Sequence, residues 1–145
     1  MKNGYYPYPQ RDPIKNYFPL PNEIYSLGLS AGEISVYGFL MRCEDRTTHQ
    51  CHPSYATIGR AVNLSNNTVR KHVLSLVEKH LISTEPTTII TRKGEKRNGS
   101  LLYTIRPIEE AIRWHLEQKI RSAEDERTRQ RLAEKLAIPV KGRSA

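Results

Sequence analysis

Asn66, Asn67, Arg70 and Lys71 fall together in one stretch, "NLSNNTVRKHVLSLVEKHLI". Their side chains are donors of the kind that read nucleic-acid bases: an Asn amide pairs bidentately with adenine, and Arg or Lys pairs with guanine or holds a phosphate. Spacing decides whether they share a surface. Val69, Val73, Leu76 and Val77 recur at i, i+4, i+7 and i+8, the pattern of a helix with one apolar stripe. At about 100° per residue, Lys71 lies almost opposite that stripe, with Asn67, Leu74, Ser75 and Glu78 near it and Arg70 toward one edge. Ser65 is placed to cap this helix, with Thr68 beside it, where the positive end of the helix dipole attracts phosphate. The plainer use of Arg70 and Lys71 is a surface ion pair with Glu78 or its neighbours.

A second basic group follows in "TRKGEKRNGS", where Arg92, Lys93, Lys96 and Arg97 stand against one acid, Glu95. A projecting loop of this kind suits phosphate or minor-groove contacts; its plainer reading is a solvated loop with lysines for solubility. Cys43, His49, Cys51 and His52 form the only metal-like cluster. Zinc takes thiolate and imidazole in a tetrahedral array, but C-x5-H-x-C-H is not a common structural spacing, and adjacent Cys51 and His52 point in different directions. A buried free cysteine and surface histidines are expected, with no metal or other cofactor. The sequence has no Gly-rich phosphate loop, nucleophile elbow or recognisable triad, so it does not read as an enzyme.

Caps and punctuation outline the elements that must position these residues. Residues 1–22 are a Tyr/Pro-rich arm ("YYPYPQRDPIKNYFPLP"), in which proline denies the backbone both helix and ladder hydrogen bonds. "LSAGEISVYGFLMRCED" opens with a capping box, Ser30 and Glu33, and then places Ile34, Tyr37 and Met41 on one face and Val36, Leu40 and Cys43 on the next. That is a central core helix. The loop "RTTHQCHPS" ends in Ser54, which can cap the helix "YATIGRAV". Asn63 suits a left-handed backbone position and Leu64 can turn inward, so two helices meet at a sharp corner before Ser65. "STEPTTIITRK" and "SLLYTIRP" are β-branched runs with Asn98-Gly99 between them, which predicts a two-stranded hairpin turning at that pair.

Composition limits the class. A chain of 145 residues holds one core and an extension. Its net charge of +8 and pI near 9.7 favour a polyanionic partner. Residues 60–106 carry nine Lys and Arg against three acids, so most of the excess sits on the segment just described. No apolar run is long enough to cross a bilayer, and "MKNGYYPYPQRDP" lacks the apolar core of a secretory signal. Two cysteines fit a reducing compartment, and a cytoplasmic location is expected.

Core helix, helix, tight turn, second helix and basic hairpin is the order of a winged helix-turn-helix domain. "IGRAVNLSNNTVRKHVLSLVEKHLI" resembles that family's pattern I-A-x-x-x-G-L-S-x-x-T-V-x-R-x-L-x-x-L-x-x-x-G-L-I. The resemblance covers residues 23 to about 106 and is greatest to helix-turn-helix proteins of bacterial plasmids, phages and conjugative elements, including replication-initiator and replisome-organiser domains and small regulators. Gly59 stands where Ala is usual, Asn63 where Gly makes the turn, and His80 where Gly ends the second helix. Gly59 should cost about 1 kcal/mol of helix propensity relative to Ala. With His80 the helix could run on without a left-handed cap, leaving the start of the wing open.

"PIEEAIRWHLEQKIRSAEDERTRQRLAEKLAI" reads as a long helix opened by Pro107, with Glu109 and Glu110 against its positive end. Glu109 to Lys135 holds seven acids and seven bases, so this helix is not the DNA contact. Ile108, Ile112, Leu116 and Ile120 repeat every four residues and could pack on the domain or pair with a second copy as a homodimer; Trp114, off that stripe, favours a partner surface.

The expectation is therefore a mainly α, α+β fold: an arm (1–22), a winged helix-turn-helix domain (23–106), a C-terminal helix (107–137) and a flexible tail (138–145). Ser65, Asn66, Asn67, Thr68, Arg70, Lys71 and Leu74 would face double-stranded DNA from the recognition helix, and Arg92, Lys93, Lys96 and Arg97 from the wing. The expected role is transcriptional regulation of a mobile element. The alternatives are a plasmid or phage replication protein, or a winged module that binds protein through the same helix. Neither a membrane nor a small-molecule ligand is indicated.

Overall fold

The computed structural model describes residues 16–136; residues 1–15, which make up most of the expected arm, and 137–145, which include the expected tail, lie outside the described residues. Ahead of the first long helix, Asn22–Ser26 form a short 3-10 turn that buries Ile24. Ser30 then starts α1 (Ala31–Cys43), its hydroxyl accepting from the Glu33 N–H at 3.2 Å while its own N–H donates to Glu33 Oε1 at 2.8 Å. Val36, Tyr37 and Leu40 of α1 are buried, with Ile34, Met41 and Cys43 packed beside them. This helix is the centre of the core.

Ser54 caps α2 (Tyr55–Val62) through the Thr57 N–H, and the helix ends at Asn63, whose φ of 59° and ψ of 48° lie in the left-handed region. Leu64 turns back onto the core from there. Gly59 makes the corner possible: a Cβ on it would lie 2.4 Å from the Leu64 carbonyl oxygen, a backbone atom that cannot swing aside. Gly59→Val should therefore cost about 3 kcal/mol, since overpacking at a fixed backbone contact must push α2 off the turn. Urea unfolding of the two proteins checks this, and a stability unchanged within error would show that the corner has slack.

Ser65 caps α3 (Asn66–Glu78) by accepting from the Thr68 N–H at 3.2 Å. Its far end differs from the sequence reading. His80 takes φ +63°, its N–H donating to Val77 O, while the Leu81 N–H donates to Leu76 O. That is a Schellman closure with buried Leu76 and Leu81 as its apolar pair, so the helix stops despite having no glycine. These two hydrogen bonds and the Leu76–Leu81 contact hold His80 in a conformation costing about 1–2 kcal/mol for an L-residue, and its ring lies 6.1 Å from that of Trp114. Trp114 is half-buried beside this ring, with part of its surface still open.

Two small sheets are formed mostly by the chain after α3. β1 (Gln50–Cys51), read in the sequence as loop, pairs antiparallel with β5 (Leu102–Ile105), which also pairs with β2 (Ile82–Glu85) in the order β1-β5-β2. Beyond Pro86 the hairpin continues as β3 (Thr88–Ile90) against β4 (Lys96–Asn98). Its turn is not at Asn98-Gly99. Gly94, at φ +80°, donates to Thr91 O at 2.9 Å, and the tip is Arg92–Glu95. Asn98 is paired opposite Thr88, and the Gly99 N–H donates to Thr87 O, so the Asn-Gly pair marks the joint between the two ladders. Its local turn preference loses to cross-strand pairing on both sides.

α4 (Ile108–Lys135) begins at Pro107 and buries Ala111. Ile108 and Ile112 pack on the core, whereas Leu116 and Ile120 are 53% and 58% exposed. A stripe with a four-residue repeat drifts around a 3.6-residue helix, so its first half turns inward and its second half turns out. The proposed dimer surface Ile108, Ile112, Leu116 and Ile120 is therefore divided: only Leu116 and Ile120 remain for a partner. No described helix is long and apolar enough to cross a membrane.

Candidate nucleic-acid interface

α3 is divided by burial into two sides. Val69, Val73 and Leu76 are buried, with Val77 packed against the core. Asn66, Asn67, Arg70, Lys71, Leu74 and Glu78 are exposed. Among the described residues, none forms an ion pair with Arg70 or Lys71, including Glu78. The first turn of α3 contains no acid that would oppose phosphate. Ser65 and Thr68, hydroxyl to hydroxyl at 2.9 Å, sit at that end. Ser75, grouped with Lys71 in the sequence reading, is half-buried and faces the protein.

The reason for Ser75's direction is a cluster that periodicity did not reveal. Ser75 Oγ donates to Glu33 Oε2, and Lys79 Nζ reaches both carboxylate oxygens at 3.2 and 3.0 Å. Glu33 is 5% exposed. Burial opposes its charge, but hydrogen bonds from the Ser30 N–H, Ser75, Lys79 and the Ser30 hydroxyl outweigh that and hold its pKa down to about 2. The N-terminus of α1 is thereby fastened to the C-terminal half of α3. His72 also lies close against Gly32 of α1, where a Cβ would run into its imidazole ring. Ser75 and Lys79, four residues apart beside the apolar stripe, were the available signal, but only the α1–α3 contact gives them a shared acid.

On the wing, Arg92, Lys93, Lys96 and Arg97 are all exposed. Arg97 lies 3.5 Å from Glu95, with both side chains more than half exposed, a surface pair worth about 0–1 kcal/mol that phosphate could replace. Ile89 and Ile90 on the facing strand are exposed as well, at 53% and 72%.

The cysteines and histidines do not converge. Cys51 is buried and donates to Leu40 O at 3.6 Å. Burial, with the nearby Cys43 and Glu44, pushes its thiol pKa up to about 12. Burial also raises the Cys43 pKa. His49, at φ +60°, lies 3.7 Å from Glu44, and His52 is exposed. Among the described residues no group of three His, Cys, Asp or Glu side chains could hold a metal.

A three-helix core, a helix-turn-helix corner and a β-hairpin wing give this chain a winged helix-turn-helix fold of mainly helical α+β class. Residues 27–82 match the family model described as a helix-turn-helix domain. No curated protein matches the sequence. Among solved structures, the chain is similar to a possible transcriptional regulator from Methanosarcina mazei at 20% identity, covering 76% of this chain and 82% of that one with a TM-score of 0.47. It is also similar to the adhesin competence repressor of Streptococcus pyogenes at 14% identity, covering 78% of this chain and 72% of that one with a TM-score of 0.39.

Proposed function

We propose that this protein binds double-stranded DNA sequence-specifically, in the cytoplasm, as a transcriptional regulator of a mobile genetic element. The observation that carries the reading is the outer side of α3: Asn66, Asn67, Arg70 and Lys71 are exposed, and Arg70 and Lys71 have no ion-pair partner among the described residues. The core leaves this side bare. Asn66, Asn67, Arg70 and Lys71 enter the major groove, while Ser65 and Thr68 meet the phosphates at the helix start. Arg92, Lys93, Lys96 and Arg97 grip the backbone from the wing. α4 pairs with a second copy through Leu116 and Ile120, and the two α3 helices occupy successive major grooves about 34–36 Å apart. The likeness of the α2–α3 stretch to proteins of plasmids, phages and conjugative elements supports the mobile-element setting.

Two substitutions separate reading from gripping. Lys71→Ala should weaken binding to a selected site by about 1–3 kcal/mol and barely change binding to unrelated duplexes. Lys96→Ala with Arg97→Ala should weaken both similarly. Fluorescence anisotropy on labelled duplexes measures this, and equal losses on the two duplexes from both variants would remove the division of labour.

A further inference from the structure

Leu74 has no structural reason to be where it is. It lies on the same side of α3 as Asn67 and Lys71, three residues beyond Lys71 and four beyond Arg70, so its side chain is their immediate neighbour. It is 53% exposed. The buried residues of α3 are Val69, Val73 and Leu76, and Val77 packs beside them, but Leu74 does not join the apolar residues packed against the core. Next on this side comes exposed Glu78, so no further apolar residue on the same stripe combines with Leu74 into a patch large enough to bury a partner helix. One isolated apolar side chain among hydrogen-bond donors fits a surface that is mostly polar with a single methyl-sized apolar spot. The major-groove edge of a thymine is such a surface, because its C5-methyl group stands among base acceptors and donors.

We infer that Leu74 reads a thymine by contact with its C5-methyl group, within the site whose neighbouring bases are read by the amides and cations of α3. This rests on the DNA-binding reading and adds to it one named base and the atom recognised. No bond is made or broken; the gain is apolar surface removed from water on both sides. Burying one methyl group corresponds to about fourfold in affinity.

The test needs only the full chain and synthetic DNA. Duplexes bound by the protein are selected from a random pool, and each thymine of the selected site is replaced in turn by deoxyuridine, which removes the C5-methyl and leaves every hydrogen-bonding group. One position should lose about fourfold in affinity. In Leu74→Ala, which is at the surface and leaves the core intact, the same replacement should change affinity by less than about 1.5-fold. If the parent binds a selected site but no deoxyuridine position weakens it, or if Leu74→Ala responds as the parent does, Leu74 is not a thymine reader and the DNA-binding reading stands. If no sequence is enriched and affinity for duplex DNA does not change with salt, the DNA-binding reading fails, and this inference with it.

Discussion

Raising salt from 50 to 200 mM should weaken binding to duplex DNA by about a thousandfold if six phosphates are neutralised. The four exposed cations of the wing supply most of that number, with the α3 N-terminus and Arg70 adding to it. Each contact releases condensed counterion, so the logarithm of affinity should fall with the logarithm of salt at a slope of about −5. Lys96→Ala with Arg97→Ala should make the slope shallower by about 2, while Lys71→Ala changes it by no more than about 1. A titration series at five salt concentrations is sufficient. A flat response would instead favour docking of this side of α3 on a protein, because apolar and neutral contacts release no counterions.

The second large effect concerns the clamp between α1 and α3. Glu33→Ala should lower unfolding free energy by about 3 kcal/mol, because it removes one arm of the Ser30 capping box and leaves Lys79 without its carboxylate. The loss stays near that figure because the Lys79 side chain is 25% exposed and can turn partly to water. The pH dependence has a definite sign. Glu33's pKa is lowered on folding from 4.5 to about 2, so its contribution is complete above 4.5 and disappears as pH falls toward 2. A shift of that size corresponds to about 3 kcal/mol. Urea unfolding at several pH values should show the parent losing this amount between pH 5 and pH 2, and Glu33→Ala lacking that portion. Parallel profiles would mean that Glu33 is not held as an ion. Because the clamp ties α3 to the start of α1, folded Glu33→Ala should also bind DNA less tightly at neutral pH.

How much was legible follows from the range of each interaction. Caps read correctly because they act over three residues: Ser30 with Glu33, Ser54 with Thr57 and Ser65 with Thr68 all form as their spacing suggests. The buried side of α3 was legible for the same reason, since a helix's period is fixed by its own backbone. Asn63 also announced its left-handed turn. Asn98-Gly99 misled, however, because a turn signal is only a preference. Pairing of Thr88 with Asn98 and closure at Gly94 moved the bend to the wing's tip.

The sequence by itself determined the order of elements, the corner at Asn63 and the set of donors opposite the valine stripe of α3, all of which rest on contacts a few residues apart. Only the tertiary structure decided that Ser75 and Lys79 close on Glu33, that His80 ends α3 beside Trp114, that Gln50–Cys51 joins the sheet, and that Ile108 and Ile112 pack on the core while Leu116 and Ile120 face outward. These depend on which surfaces meet after the chain has closed on itself. Helical period and local capping say which way a side chain faces, but not what it will face.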